Sequence, residues 1–278
     1  MDDIRKLISI EIHRRVSNPK FYLALVLTLC VMVISFDGLT KFLVQHDMQI
    51  QAAELFVFIV SDRFTQWMLT FSFLILVGDA PFIQDGMDIL LMRTNKKKWL
   101  TAQSIVMICM IMIWLVVLEI SVLLLTAGHI SWKNEWSDYI YLAARLQSGT
   151  RNMGIGVNTS MLPLTEGTPL VLFGIAFLYA VLLFTYFGMW GIVANLLTGR
   201  SYGSCIAACF LAFRFALNNL VNMPALKYIS PANLIDLTSQ SIQPPMIIYT
   251  VLFFVIQIVI LAWIAEWILK KRDVCKLR

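Results

Sequence analysis

Charge is scarce in this chain. Asp, Glu, Lys and Arg together make up 14% of the 278 residues, against roughly a quarter in soluble domains. Groups that carry chemistry are sparse too. The three histidines, at 13, 46 and 129, lie far apart, and there is no E-x-x-H pair, so the usual metal spacings are missing. Five cysteines, at 30, 109, 205, 209 and 275, sit in apolar stretches or in the basic tail. They imply no disulfide framework, and Cys205 and Cys209 read as small packing residues. No G-x-x-x-x-G-K-[ST] loop is present, so no such loop cradles nucleotide phosphates. Ser160 and Ser204 lack a neighbouring base. No catalytic, metal or cofactor site emerges. The net charge of +5 points to no nucleic acid, because the position of the cations matters more than their sum.

What the chain has in quantity is uninterrupted apolar sequence. Four runs stand out: Phe21–Phe36, Leu100–Ala127, Leu170–Leu197 and Met246–Leu269. The third holds no charge in 28 residues. About 20 apolar residues at about 1.5 Å per residue cross a hydrocarbon slab about 30 Å thick. Two weaker spans, Gln66–Val77 and Tyr202–Val221, complete a predicted set of six transmembrane helices in an all-α integral membrane protein. An even count puts both termini on one side. That side, comprising the N-terminus, the 81–99 connection, the 198–201 turn and the C-terminus, carries fifteen Lys and Arg against six on the other. The positive-inside rule makes it cytoplasmic. No small-residue cleavage site follows the first run, so that run reads as a retained span.

The whole of 1–278 reads as one transmembrane domain. Residues 1–19 precede the first span and set Ile4, Leu7, Ile8 and Ile12 on one helical face, with Arg5, Lys6, Arg14 and Arg15 largely elsewhere. Such a helix lies in the membrane plane with its cations toward lipid headgroups. Residues 128–168 form an outer loop in which Glu135–Gln147 reads as an interfacial helix, with Trp136, Ile140, Ala143 and Leu146 toward the leaflet. A second outer connection, 37–63, contains AAELFVFIV, which reads as dipping into the interface. Neither is large enough for a substrate-capturing ectodomain. Gly188, Gly191 and Ala194 recur every third residue, a spacing that lets helices approach closely, within the chain or at a contact between two permeases.

The segment between the second and third spans is the most informative. Asp79 and Pro81 make a helix start, Asp85 and Asp88 stand early, and Arg93 and Lys96–Lys98 stand late, an order that suits the helix dipole. Ile83, Met87, Leu90 and Leu91 form an apolar stripe on a predicted helix over 81–93 that is too short to span a membrane. It suits a groove on another protein, or the headgroups with its lysines on phosphate. In the spans, two ionisable residues stand out, Glu119 in the third and Arg214 in the fifth. Each is costly in lipid and so marks a polar path, an ion pair or a break in the helix. For Arg214, followed by Asn218, Asn219 and Asn222, a broken helix is favoured.

With these features in place the chain resembles the permease subunits of ABC-2-type transporters. The resemblance covers the whole topology and rests on three local motifs: the in-plane N-terminal helix; the acidic-Gly, acidic, Leu-Leu, basic pattern of Asp85, Gly86, Asp88, Leu90, Leu91, Arg93 and Lys96–Lys98; and Ile-Ser-Pro at 229–231. In that family the second motif is a cytoplasmic coupling helix and the third belongs to re-entrant outer helices between the last two spans. The resemblance implies ATPase-coupling roles for Ile83, Asp85, Gly86, Met87, Asp88, Leu90, Leu91 and Arg93. It also implies a separate ABC ATPase subunit that binds the ATP, a second permease copy or paralogue, and a location in the plasma membrane among its lipids. The function then expected is export of an amphiphilic substrate: a lipid-linked molecule, a hydrophobic peptide or a drug. A sensor, immunity or scaffold subunit built on the same fold is the alternative. A secondary transporter would require internal repeats, and none is visible.

Overall fold

The computed structural model describes residues 2–36, 38–81, 96–146, 157, 159–199, 205, 209, 212, 228–240 and 242–271. Their helices, in chain order, are α1 (Asp2–Val16), α2 (Pro19–Ser35), α3 (Leu39–His46), α4 (Glu54–Ser61), α5 (Arg63–Val77), α6 (Lys96–Leu125), α7 (Asp138–Leu146), α8 (Met161–Glu166), α9 (Pro169–Thr198), α10 (Pro231–Leu234) and α11 (Pro244–Lys271). Two short strands, β1 (Ile50–Gln51) and β2 (Ile130–Ser131), pair in parallel with Ile50 opposite Ile130.

Local chemistry sets the helix starts. Asn18 caps α2 by accepting from Lys20 N at 2.9 Å, and Pro19 supplies a fixed φ at the first helical position. Asp62 caps α5, its carboxylate accepting from the backbone N–H and the hydroxyl of Thr65 at 2.9 Å each. Gly199, at φ 69°, ends α9 in the left-handed conformation that glycine adopts without strain.

The side chains fix the directions of the helices. Lys20, at the start of α2, pairs with Asp79, just past the end of α5, so these helices are antiparallel. The hydroxyl of Thr40 on α3 donates to Leu125 O at the end of α6. Lys96, at the start of α6, donates to Leu269 O near the end of α11 at 3.3 Å. One end of the bundle therefore gathers Lys20, Asp79, Lys96, the C-terminus of α9 and Lys270; we term it the basic end. At the other, the cap end, lie α3, the β1–β2 bridge, α7, α8 and α10.

Three helices are long and apolar enough to cross a membrane: α6 and α9, each 30 residues, and α11, 28 residues. This makes the chain a helical, membrane-embedded protein. Among the described residues the predicted six spans reduce to these three, or four if α1 and α2, bent 60° at Ser17-Asn18, act as one. The second predicted span is a 15-residue helix, α5, about 22 Å long and short of the slab thickness. Most of the fifth, Tyr202–Val221, lies outside the described residues.

Three other expectations need correction. Every residue of α4 is buried. This helix packs against α9, with Phe56 against Phe173 at 5.0 Å between ring centroids, so it is a core element and no interfacial dip. Arg15, expected among headgroup-facing cations, is 7% exposed and Glu11 is 5% exposed, because α1 lies against α6. α7 turns Tyr139, Ile140, Ala143 and Ala144 into the protein and leaves Leu146 46% exposed. By the helix period Leu146 shares the face of Tyr139 and Ala143, so its exposure goes with its place as the last residue of α7 and not with its face. At Ile229-Ser230-Pro231 the described structure is the four-residue helix α10.

Candidate functional site

The residues on either side of the 82–95 segment are described, although the segment itself is not. Ile83, Asp85, Gly86, Met87, Asp88, Leu90, Leu91 and Arg93 lie outside the described residues, as does Arg214. The described residues on either side of the segment, Pro81 and Lys96, both stand at the basic end. On the way out, the side-chain amide of Asn195, near the end of α9, donates to Gly78 O at 2.9 Å and to Ala80 O at 2.6 Å. Those carbonyls lie past the last turn of α5, where intrahelical donors run out. Asp79 pairs with Lys20. Asp79 also acts electrostatically on Arg15, whose guanidinium burial pulls down to about 10, with Glu11 and Asp79 opposing that shift. Glu11 is pushed upward by the same burial.

On the way back, Lys96 is tied to Leu269 O, and Lys97 lies 3.5 Å from Glu266, which Lys270 also meets at 3.2 Å. Trp99, one turn on, is 1% exposed. Both roots of the segment are thus fastened, one to α9 and the other to α11. Among the described residues no group of three His, Cys, Asp or Glu stands close enough to hold a metal.

Inside the bundle, Thr28, Ser72 and Trp114 make a polar knot that the sequence reading missed. Thr28 Oγ1 and Ser72 Oγ are 2.7 Å apart, and the Trp114 indole N–H donates to Thr28 Oγ1 at 2.7 Å. Each of the three is fully buried, and together they tie α2, α5 and α6 at mid-height. Hydroxyls within apolar runs are the signal that marks such a tie. Glu119 lies six residues before the end of α6, with one carboxylate oxygen buried and no hydrogen-bond partner among the described residues. Of the small-residue stripe on α9, Gly188 faces Met107 of α6 so closely that a Cβ would lie 2.2 Å from its sulfur. Gly191 has no such neighbour. The close approach at Gly188 is within the chain.

At the cap end a second buried carboxyl organises the loops. Glu54, fully buried, accepts from Ser137 N at 3.1 Å and from the Ser137 hydroxyl at 2.5 Å. Ser137 Oγ in turn accepts from Ile140 N at 3.2 Å, capping α7. Burial pushes Glu54 up to about 7, with the Ser137 and Gln51 hydrogen bonds pulling the other way. The Tyr139 hydroxyl is pushed up by burial and by the nearby Glu54 charge.

No family model, curated protein or solved structure matches this chain. Function has to be argued from the bundle and its two ends.

Proposed function

We propose that the chain is the transmembrane permease subunit of an ATP-driven exporter of the ABC-2 type, set in the plasma membrane with both termini in the cytoplasm. One observation carries this reading. Both roots of the 82–95 segment are fastened at the same lysine-rich end of an apolar helical bundle, by Asn195 and Lys20 on one side and by Lys96 on the other. A short segment whose sequence carries an apolar stripe, joined to that end by two fixed roots, suits docking by another protein.

The six-pass topology is part of the proposal. α9 ends at the basic end, whereas Tyr228, whose carbonyl accepts from Tyr249 near the start of α11, lies toward the cap end. A pass between residues 199 and 228 supplies that displacement, and α2, α5, α6, α9 and α11 supply the other five. The short α2 and α5 pass through a locally thinned or protein-lined region. ATP is bound and hydrolysed by a separate ABC ATPase whose closure pulls on Ile83, Met87, Leu90 and Leu91. A second permease copy or paralogue completes the path, and the scarcity of charge in the spans selects an amphiphilic cargo. Coupling requires the stripe. Leu90→Glu with Leu91→Glu should abolish co-purification of the ATPase, or substrate-stimulated ATP hydrolysis, without changing the melting temperature. Undiminished coupled activity in that variant rejects the docking role.

A further inference from the structure

At the basic end a cavity of about 260 Å³ opens between α6 and α11, lined by Lys96, Lys97, Leu100, Glu266, Leu269 and Lys270. Its composition is divided. Leu100 and Leu269, 6% and 2% exposed, form an apolar floor. The polar groups at the rim are three ammoniums and one carboxylate, an excess of positive charge. Lys97 and Lys270 share Glu266 at 3.5 and 3.2 Å, and their side chains remain 68% and 71% exposed. Beside the cavity, Lys271 lies 4.0 Å over the ring of Trp267. Trp263 and Trp267, 68% and 49% exposed, stand on α11 within about two turns of Lys270, and such amphipathic rings are enriched at the headgroup level. Below them Val255, Ile256, Val259 and Ile260 present an apolar face on the same helix.

We propose that this cavity seats the phosphodiester of an anionic phospholipid, with Lys97 and Lys270 on the phosphate and the acyl chains running down the exposed face of α11. Basic pockets between transmembrane helices at the headgroup level take such groups. The apolar floor and the continuous apolar face beneath it favour a lipid-borne phosphate over a free one. Glu266 competes with the ligand for both lysines, holding them in place when the seat is empty. The seat includes Lys96, where the 82–95 segment meets α6, so its occupancy bears on how that root is held. The inference rests on the membrane reading alone and stands whether or not the chain is a transporter.

The test uses the full-length protein in neutral detergent, with lipid adducts counted by native mass spectrometry. Dimyristoyl phosphatidylglycerol and dimyristoyl phosphatidylcholine are added at equal concentration. The first phosphatidylglycerol should bind about tenfold tighter than phosphatidylcholine. Each lysine near an anionic surface contributes about a fivefold factor, so Lys97→Gln with Lys270→Gln should weaken phosphatidylglycerol about tenfold or more and leave phosphatidylcholine unchanged. Lys98→Gln, which removes the same charge just outside the lining, should change binding less than about twofold. Glu266→Gln should strengthen the anionic lipid, a sign that a merely structural glutamate would not give. Equal binding of the two lipids, or a double variant that behaves as Lys98→Gln does, overturns the site. Displacement of phosphatidylglycerol by equimolar glycerol phosphate overturns the lipid as its occupant.

Discussion

Glu54 makes the stability of the cap end depend on pH with a definite sign. Its carboxyl is fully buried on α4, and burial raises it from 4.5 to about 7 against the pull of the Ser137 and Gln51 donors. A raised folded-state value means that the native protein holds the proton over a range where the unfolded chain has released it. Stability is therefore full below about 4.5, declines as the pH rises through the range up to about 7, and is flat above it. The gap of about 2.5 in pKa, at about 1.4 kcal/mol each, sets the loss at about 3 kcal/mol. For a protein of this size that corresponds to about 6–12 °C in Tm. Glu54→Gln keeps an oxygen for the Ser137 donors and removes the titration. Melting of the detergent-solubilised protein, followed by intrinsic fluorescence from pH 5 to 8, should show the wild type losing several degrees on going to pH 8. The variant should keep a shallower slope of the same sign, to which Glu11, also raised by burial, contributes. A wild-type profile no steeper than that of Glu54→Gln refutes the reasoning.

Other outcomes follow from the same contacts. Asn195→Ala removes two hydrogen bonds to Gly78 and Ala80, at the root of the 82–95 segment, and should cost about 1–3 kcal/mol. Asn195→Asp, which turns an acceptor toward Gly78 O and Ala80 O, should melt lower still; an order reversed between the two would show that the amide does not bind those carbonyls. Thr28→Val should lower the melting temperature by leaving the Trp114 indole only its longer, 3.3 Å contact with Ser72. Combined with Ser72→Ala and Trp114→Phe it should cost less than the sum of the three single changes, measured as a thermodynamic cycle. Strict additivity would mean that the knot is three independent groups.

The long helices were legible because solvent selects for them directly. The runs Leu100–Ala127, Leu170–Leu197 and Met246–Leu269 fall within a few residues of α6, α9 and α11, since nothing but sustained apolarity satisfies a hydrocarbon slab. Which face of each helix meets protein was not legible. α9 and α11 are similarly apolar, yet 50% of the best window of α9 is buried and only 17% of that of α11. In water, burial is written as periodicity. In lipid both faces are apolar and the periodicity fades. The same loss of contrast hid α4, whose ELFVFIVS reads equally as an interfacial run or as core. Arg15 misled for the opposite reason: its charge reads as a mark of exposure, whereas here it and Glu11 form part of the α1 face against α6. At the candidate site the two roots follow from Asp79, Pro81 and the lysine run, but Asn195, one amide in an apolar helix, has no sequence context that aims it.

These contacts also constrain how a pull on the coupling segment would travel under the proposed reading. The segment hangs from α5 and α6. The Thr28–Ser72–Trp114 knot makes those two helices and α2 one body at mid-height. α9 and α11 form a second body, packed through Tyr186 and Phe254 at 5.9 Å between ring centroids. Between the two bodies the packing at mid-height is close but apolar, with Met107 against Gly188 and Phe73 and Trp114 against Phe184. Apolar surfaces slide past one another more readily than hydrogen-bonded ones break, so relative motion belongs on that plane. Polar bonds cross it at both ends: at the basic end the Asn195 amide on Gly78 and Ala80, Lys96 on Leu269 O and Lys97 with Glu266, and at the cap end Leu170 N–H on Asn134 and Leu237 N–H on Ser61. A pull on the roots therefore meets polar bonds at both ends of that plane and apolar packing between them, so under the proposed reading the bonds at the end that opens have to give first.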